Sequence, residues 1–333
     1  MINIGFIGVG GMGMYQVRTF QKVRGARIVA AADPSPVARQ GFAQHMPGVT
    51  VYDDHRAMLK DGRVEAVVVA VPTYYHAPMA IDAMKAGRPV MVEKPMARTV
   101  SAARRMTEVS ARTKQLLMVA HCRRYDADWG TFAKVVTGGR IGRPVLWRHV
   151  MCGGGPGGWF MDEKLGGGPI MDGAVHDQDF ANYLFGDPQS VSASAIKLAC
   201  HSAVDTVTTV IQYAKGDQLM LSWSWGTAHS GGGVQDALGT RGSVLFGAGS
   251  IDGQKLDHKK FGYYRVTDAK SQKPKLVRFA RKDMYVTQGR HFLDCIQGKA
   301  KCRTPGKEAI KAVAVAEAIL KCCAKGGSRK VRW

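Results

Sequence analysis

A glycine-rich loop between a strand and a helix constrains this chain more than any other sequence feature. The loop Gly8-Val9-Gly10-Gly11-Met12-Gly13 follows the apolar run Ile2 to Ile7 and opens a helical stretch from Gly11 to Val23. Its glycines permit a tight turn, a close approach of the backbone to a ligand, and close packing of helix on strand. This context, with Asp33 about twenty residues later, predicts a dinucleotide site at the helix N-terminus.

The first third of the chain alternates between strand-like and helix-like patterns. Short apolar runs, typical of buried parallel strands, occur at Ile2 to Ile7, Arg27 to Ala32, Ala66 to Val71, Pro89 to Val92 and Leu116 to Ala120. Stretches with apolar residues three or four apart lie between them, at Gly11 to Val23, Pro36 to His45, Ala77 to Ala86 and Val100 to Thr113. Strand alternating with helix predicts an α/β Rossmann domain, a doubly wound parallel sheet, over residues 1–121.

The pattern changes near Cys122. Strand-like segments joined by turns such as Lys215-Gly216-Asp217 predict a large, mostly antiparallel open sheet. We therefore expect an α+β domain over residues 122–333, whose closing helix, about 307–324, packs back near the Rossmann domain. Three glycine clusters, 153–155, 166–168 and 231–233, indicate loops that could border a substrate site or be plain connections.

Asp33 ends the second predicted strand and bears on the choice of cofactor. A carboxylate there can accept both ribose hydroxyls of adenosine and would repel a 2′-phosphate, which favours NAD over NADP. Arg39 could instead reach such a phosphate, and Asp33 could also cap the following helix. We expect Gly8, Gly10, Gly11, Met12, Gly13 and Asp33 to bind the cofactor.

Charge and cysteine content limit the partners we expect. The formal net charge is +21, but the basic residues are spread along the chain without a nucleic-acid-binding motif. We interpret them as a solvated surface, with attraction of an acidic substrate or partner as the alternative. The seven cysteines form no C-x-x-C pair, so we expect free thiols and no metal site. Without a membrane-length apolar run or a signal peptide, we expect a cytoplasmic protein with no membrane partner.

Three further motifs resemble one known family. Ala70-Val71-Pro72-Thr73-Tyr74-Tyr75-His76 and Glu93-Lys94-Pro95 resemble the segments after the fourth and fifth strands in the glucose–fructose oxidoreductase / inositol dehydrogenase (Gfo/Idh/MocA) family. The stretch from Gly166 to Asp179 resembles its substrate-domain motif. The motifs come in the family's order, and the likeness runs from the first strand to the closing helix.

The resemblance implies an enzyme with a C-terminal domain built on a large open sheet and with nicotinamide between the two domains. It also implies substrates such as sugars, inositols and other polyols, oxidised at a secondary alcohol or reduced at the matching ketone. A homodimer or homotetramer through the C-terminal sheet is expected on the same ground.

By motif position the family's catalytic lysine, aspartate and histidine correspond to Lys94, Asp172 and His176. Removing hydride from a carbinol carbon requires a base for the hydroxyl proton and a group that stabilises the alkoxide. We favour His176 as the base and Lys94 as the donor to the alkoxide, with Lys94 as the alternative base. Asp172 would orient the imidazole or bind a substrate hydroxyl.

Without the family, each of the three has a plainer interpretation. Lys94 could be a surface lysine, His176 a buried core histidine and Asp172 a helix N-cap. The segment also departs from the family's frequent Asp-x-Gly-x-His, because Gly173 stands one place early. We expect the roles to survive and the local backbone to differ.

The remaining candidates are secondary. Pro72, Thr73, His76, Glu93 and Lys94 are predicted to line the cofactor cleft. Arg124 could contact the nicotinamide carboxamide or the substrate, or form a structural salt bridge. Trp159 could stack on a sugar ring or belong to the core.

The sequence thus predicts an NAD-dependent dehydrogenase of a sugar, inositol or related polyol. One alternative is a redox-neutral enzyme that uses tightly bound NAD, as NAD-dependent glycosidases do. Another is a regulatory NAD-binding protein without catalysis, against which the Lys94, Asp172 and His176 set argues, because binding alone needs no base.

Overall fold

Two units make up the structure. Residues 1–122 with 284–313 form the first, and residues 123–283 with 314–333 form the second. The computed structural model describes residues 1–199, 202–231, 233–246, 257, 259–268 and 273–333. Cys200, one of the seven cysteines, lies outside the described residues. So does Gly232, the middle residue of the third glycine cluster. Residues 284–313, which the sequence analysis assigned to the second domain, belong to the first unit.

The first unit is built on a six-stranded sheet in which every neighbouring pair is parallel, in the order β3-β2-β1-β4-β5-β6. The strands are β1 (Ile2–Ile7), β2 (Ala26–Ala32), β3 (Thr50–Tyr52), β4 (Ala66–Val69), β5 (Val90–Val92) and β6 (Leu117–Val119). The predicted parallel, doubly wound sheet is confirmed. Chain order reverses between β1 and β4, which leaves a crevice at the carboxyl ends of these strands.

Five helices connect these strands. They are α1 (Gly11–Phe20), α2 (Pro36–His45), α3 (His55–Leu59), α4 (His76–Lys85) and α5 (Val100–Thr113). Short polar side chains fix where three of them begin. Ser35 accepts a hydrogen bond from Ala38 N at 3.3 Å, and Thr99 accepts one from Ala102 N at 3.1 Å. Asp54 likewise caps α3. These caps satisfy backbone donors that the first helical turn leaves unpaired.

The second unit carries a nine-stranded sheet in the order β14-β13-β12-β11-β7-β10-β9-β8-β15. Its strands are β7 (Leu146–Cys152), β8 (Pro188–Ile196), β9 (Thr206–Tyr213), β10 (Gln218–Ser224), β11 (Val234–Gly239), β12 (Gly242–Phe246), β13 (Phe261–Asp268), β14 (Pro274–Ala280) and β15 (Ser328–Lys330). All neighbouring pairs are antiparallel except β7 with β10. The predicted large, mostly antiparallel sheet is confirmed.

Strand register separates this sheet into two faces. One row of directly opposed residues is fully buried: Val266, Val244, Ala237, Trp147, Leu219, Ile211 and Val191. The adjacent row, which points to the other face, contains the Arg148–Asp236 ion pair and exposed Met220. The apolar core of this unit therefore lies on one side of the sheet.

The buried face of the sheet packs against three helices of the second unit. They are α6 (Ala127–Thr137), α7 (Gly168–Met171) and α8 (Val175–Phe185). Trp129 of α6 contacts Trp147 of the sheet and Phe180 of α8, with ring centroids 5.7 and 4.9 Å apart. An aromatic layer therefore joins α6 and α8 to the sheet.

Two long helices complete the chain, α9 (Met284–Ile296) and α10 (Gly306–Lys325). α9 packs on α1 within the first unit, where Gly289 lies so close to Val23 that a Cβ atom would be 2.9 Å from its side chain. The start of α10 lies in the same unit, and Pro305 just before it bridges to Met118 of β6. Among the described residues, no helix is both long and apolar enough to cross a bilayer.

A buried carboxylate on α8 ties three other segments of the second unit together. Asp177 is fully buried and accepts hydrogen bonds from Arg123, from His149 Nδ1 of β7 at 2.7 Å and from Trp223 Nε1 of β10 at 3.0 Å. Burial alone would raise its pKa, but the charges of Arg123 and His149 outweigh burial and lower it to about 2. The carboxylate is therefore ionised, and its two oxygens accept hydrogen bonds from three donors.

We predict that Asp177→Asn lowers stability most above pH 4 and least near pH 2. The pKa of Asp177 is lower in the folded chain, about 2, than in an unfolded one, so its contribution is complete above the unfolded pKa and disappears as pH falls through the folded one. The contribution is roughly 2 kcal/mol. Urea unfolding of both proteins between pH 2 and 7 measures it. A constant difference across that range would contradict the ionised assignment.

Candidate active site

The glycine loop of the first unit has the geometry of a dinucleotide cradle. Gly8 has φ of +87°, and a Cβ atom there would lie 2.5 Å from the Ala70 carbonyl oxygen. At Gly13 a Cβ would lie 2.2 Å from the Gly8 carbonyl oxygen. At Gly10 and Gly11 a Cβ would meet no described atom within 4 Å, and Met12 beside them is 38% exposed. The loop thus leaves no room for side chains at Gly8 and Gly13, where it packs on its neighbours. It leaves open space at Gly10 and Gly11, at the N-terminus of α1, where a pyrophosphate fits.

Asp33 holds the end of β2 against this loop. Its Oδ2 accepts a hydrogen bond from Val9 N at 2.9 Å, and its Oδ1 accepts one from Ser35 N at 2.9 Å. Ser35, rather than Asp33, is the N-cap of α2. Arg39, which could have met a 2′-phosphate, donates to the carbonyl oxygens of Asp33 and Pro34 at 2.9 Å each.

The Glu93-Lys94-Pro95 segment follows β5 and is hydrogen-bonded to α1. Glu93 is 5% exposed, and its Oε1 accepts a hydrogen bond of 2.6 Å from Gln16 Nε2 of α1. Its other oxygen accepts one from Lys94 N at 3.2 Å. Lys94 itself is half-buried.

His76 connects the loop after β4 to the same segment. Its Nδ1 lies 2.7 Å from the Pro95 carbonyl oxygen and its Nε2 lies 2.9 Å from that of Val71. Thr73 beside it is buried and Pro72 is half-buried. His76 thus links the backbone that follows β4 to the backbone that follows β5. A direct cofactor contact by Pro72, Thr73 or His76 stays a prediction.

Tyr285 on α9 is a neighbour of this site that the sequence analysis missed. Its ring meets that of Tyr15 on α1 edge to face, with centroids 4.8 Å apart. Burial raises the pKa of Tyr285, and the nearby Cys122 and Glu93 raise it further. The phenol therefore stays protonated beside Glu93. No local motif signals this, because α9 lies far from the site in sequence.

The second unit holds Asp172, Gly173 and His176 around the start of α8. Asp172 is 7% exposed and ends α7, while α8 begins after Ala174. Asp172 is therefore not the N-cap of α8. His176 is half-buried on the first turn of α8, so it is not a fully enclosed core histidine.

Gly173 explains the departure from the family's usual spacing. A Cβ atom there would lie 2.5 Å from the Trp223 indole and 3.0 Å from that of Trp225. The early glycine therefore lets two tryptophans of the sheet approach the backbone between Asp172 and His176. The buried carboxylate of Asp177 anchors the same turn.

The two remaining candidates have partners in the structure. Arg124 donates from Nε and Nη2 to the two carboxylate oxygens of Asp179, at 2.7 and 2.6 Å. This pair is buried, which agrees with the structural salt bridge considered for Arg124. Trp159 stacks on Phe160 with ring centroids 3.8 Å apart and is half-buried. Contact of Arg124 or Trp159 with a substrate stays a prediction.

In chemical terms, the first unit offers a phosphate cradle and an amine, and the second offers a carboxylate and a half-buried imidazole. These are groups that bind a dinucleotide and that move or hold a proton. Over the described residues, no cluster of three or more metal-ligating side chains occurs.

The chain matches two sequence models of one family. Residues 2–121 match the model described as an oxidoreductase family with an NAD-binding Rossmann fold, named GFO_IDH_MocA. Residues 129–245 match the GFO/IDH/MocA C-terminal domain. The two matches cover the glycine loop, the Glu93-Lys94-Pro95 segment and the Asp172–His176 segment.

Two relatives are named for inositol oxidation. The chain is 33% identical over 189 residues to an inositol 2-dehydrogenase of Rubrobacter xylanophilus, which is 55% of this chain and 52% of the relative. It is 25% identical over 309 residues to a scyllo-inositol 2-dehydrogenase (NAD(+)) of Bacillus subtilis, which is 89% of this chain and 86% of the relative. The first of these matches thus spans about half the relative's length.

Solved structures agree on the fold. A levoglucosan dehydrogenase in complex with NADH superposes with a TM-score of 0.87 at 20% identity, covering 99% of both chains. A protein described as a putative myo-inositol dehydrogenase of Sinorhizobium meliloti 1021 gives 0.80 at 24% identity over both full chains. The fold, the two family matches and the site motifs agree, and the chain belongs to the Gfo/Idh/MocA oxidoreductase family, with an NAD-binding Rossmann fold at its N-terminus.

Proposed function

We propose that this protein is an NAD-dependent dehydrogenase that acts on a secondary alcohol, or the matching ketone, of a sugar, inositol or related polyol. The observation that carries the proposal is the complete set of Lys94, Asp172 and His176 in a chain whose glycine loop fits NAD. The names of the relatives, two inositol dehydrogenases and a levoglucosan dehydrogenase, support the substrate class.

The oxidation removes a hydride and a proton from one carbinol. The C–H bond breaks with its electron pair and the O–H bond loses its proton, so that a C=O double bond forms. NAD, when bound, supplies the acceptor for the hydride. The protein must supply the acceptor for the proton, because an alcohol is a very weak acid.

We assign the proton to His176. Its imidazole is half-buried and lies on a turn of α8 that the buried Asp177 carboxylate fixes. Asp172, four positions earlier, would orient the imidazole or bind a substrate hydroxyl. Lys94 would donate a hydrogen bond to the oxygen as negative charge develops there. The reverse assignment, with Lys94 as the base, is the alternative that kinetics can separate.

We predict that Lys94→Ala and His176→Ala each lower kcat by about 10²- to 10⁴-fold and leave NAD affinity nearly unchanged, because both groups act on the substrate hydroxyl. NADH absorbance with a panel of sugars, inositols, sugar acids and anhydrosugars gives kcat, and fluorescence titration gives the NAD affinity. If His176 is the base, His176→Ala also loses the fall in rate at acidic pH, and Lys94→Ala keeps it.

Exposed residues provide matched controls, Lys85→Ala in the first unit and His229→Ala in the second. Unchanged rates in both active-site variants would refute the catalytic assignment. NAD binding without net NADH formation on any substrate would favour redox-neutral chemistry or a regulatory role.

We predict that Asp33→Ala weakens NAD binding by roughly tenfold or more, since hydrogen bonds to a charged carboxylate are lost. The discrimination against NADP should relax at the same time, because the charge that repels a 2′-phosphate is removed. Titration with both cofactors measures the two effects. Asp53→Ala, at an exposed position of the same unit, is the control. An unaltered NAD to NADP ratio would show that Asp33 only holds the loop.

We also propose a homo-oligomer formed through the outer face of the nine-stranded sheet. Met220 on β10 and Ile196 on β8 are 38% and 57% exposed on that face, and exposed apolar side chains on a sheet are typical of an interface. We predict a dimer or tetramer by light scattering and a smaller species for Met220→Asp. A wild-type monomer at micromolar concentration would contradict this.

A cytoplasmic location is part of the proposal. It is supported by the reduced thiols of Cys152, Cys322 and Cys323, because thiols persist in a reducing compartment. Cell fractionation tests this location directly.

A further inference from the structure

A cavity of about 640 Å³ opens in the second unit, and Lys94, Asp172 and His176 are not among the residues that line it. This volume lies within the range of small-molecule sites. Its lining includes residues of α6, β7, β11, β12, β13 and β14, together with Gly231 and Gly233. These two glycines belong to a cluster that the sequence analysis marked as a possible border of a substrate site.

Four aromatic rings form a continuous wall of this cavity. Trp129 lies 5.3 Å from Phe246, Phe246 lies 4.7 Å from Tyr264, and Tyr264 lies 5.1 Å from Phe279, between ring centroids. All four residues line the space. Flat aromatic faces give a large contact area to a ligand with C–H groups on one side of a ring.

Two polar side chains on the wall have hydrogen-bonding capacity to spare. The Gln235 amide nitrogen is shielded from solvent and has no partner among the described residues. His149 contacts the ionised Asp177 through Nδ1 at 2.7 Å, and this bond leaves its other ring nitrogen, Nε2, for a second hydrogen bond. The Gln235 amide and His149 Nε2 are thus available side by side, because Gln235 and His149 are directly opposed on β11 and β7.

The charges at the cavity argue for a neutral ligand. Of the lining residues that the structure describes, Asp128 and Arg281 are the ones with a full charge, and they lie 3.8 Å apart. Burial raises the pKa of Asp128, as does neighbouring Asp126, while Arg281 opposes this. Because the Asp128 carboxylate offsets the Arg281 guanidinium, the cavity wall carries no excess positive charge that would bind an anion.

One residue of the cavity wall is hydrogen-bonded to the turn that carries His176. His149, on the cavity wall, hydrogen-bonds the carboxylate of Asp177, the residue directly after His176. A ligand in the cavity therefore lies one hydrogen bond and one residue away from the proposed base.

We propose that this cavity is a subsite for a second, neutral sugar ring, so that the preferred substrate is a disaccharide or comparable glycoside rather than a free monosaccharide. The aromatic wall stacks on the non-reacting ring, and Gln235 and His149 bind its hydroxyls. The proposal rests on the proposed function, since it extends the substrate of the same enzyme.

The test compares monosaccharides with their disaccharides by calorimetry, on NAD-loaded and on cofactor-free protein. The probes are glucose, galactose and mannose, each beside its α- and β-linked glucosides and galactosides. We expect at least one disaccharide to bind about tenfold or more tightly than its reacting monosaccharide. Gln235→Met should lower that affinity by roughly two- to tenfold, the value of one hydrogen bond, and leave the monosaccharide unaffected.

A second variant guards against misfolding. Phe279→Leu removes the outermost ring of the wall and should weaken the same disaccharide. Gln212→Met, an exposed glutamine on β9 of the same sheet, is the matched control and should change nothing. The proposal is overturned if no disaccharide binds more tightly than its monosaccharide, or if both cavity variants weaken the two classes equally.

The same samples separate this proposal from the proposed function. Tight disaccharide binding that depends on Gln235, without NADH formation, would support the subsite and count against the dehydrogenase. NADH formation from a monosaccharide with no gain for any disaccharide would support the dehydrogenase and refute the subsite.

Discussion

The second unit depends on one buried charge. An ionised carboxylate without partners is costly in a protein interior, and removing a partner from such a group is strongly destabilising. Asp177 must therefore keep Arg123, His149 and Trp223, and these come from three different segments. The requirement fixes α8 against the sheet at the turn where His176 lies. The same three hydrogen bonds that stabilise the buried carboxylate also hold the neighbouring His176 imidazole in a defined place.

The first unit uses the same device at the cofactor loop. Glu93 is a nearly buried carboxylate that accepts from Gln16 of α1, and so it fixes the segment carrying Lys94 to the helix that the glycine loop opens. On the other side, Asp33 fixes the end of β2 to the glycine loop, because its carboxylate accepts a hydrogen bond from Val9 N. In both units, a carboxylate that does no chemistry itself positions a residue proposed to do it.

Sequence reasoning could predict what depends on local pattern. The alternation of buried strands and helices placed the parallel sheet, and the glycine spacing placed the loop whose Gly8 and Gly13 admit no Cβ. It missed β3 and α3, which are short, and it gave no sign that α9 brings Tyr285 to the site. It also could not find the partners of Asp177 or Arg124. Such pairs join residues more than twenty-five positions apart, and register and packing, which no local pattern encodes, bring them together.

The residues that hold the site and those that would select the substrate are partly the same. His149 offers one ring nitrogen to Asp177 and the other to the cavity, so its substitution would disturb the α8 turn and the aromatic cavity at once. Gln235 faces the same space without a described partner for its amide nitrogen, and a change there leaves the buried carboxylate satisfied. A change of substrate preference is therefore more accessible at Gln235 and Phe279 than at His149, because only at His149 does it also unbalance a buried charge.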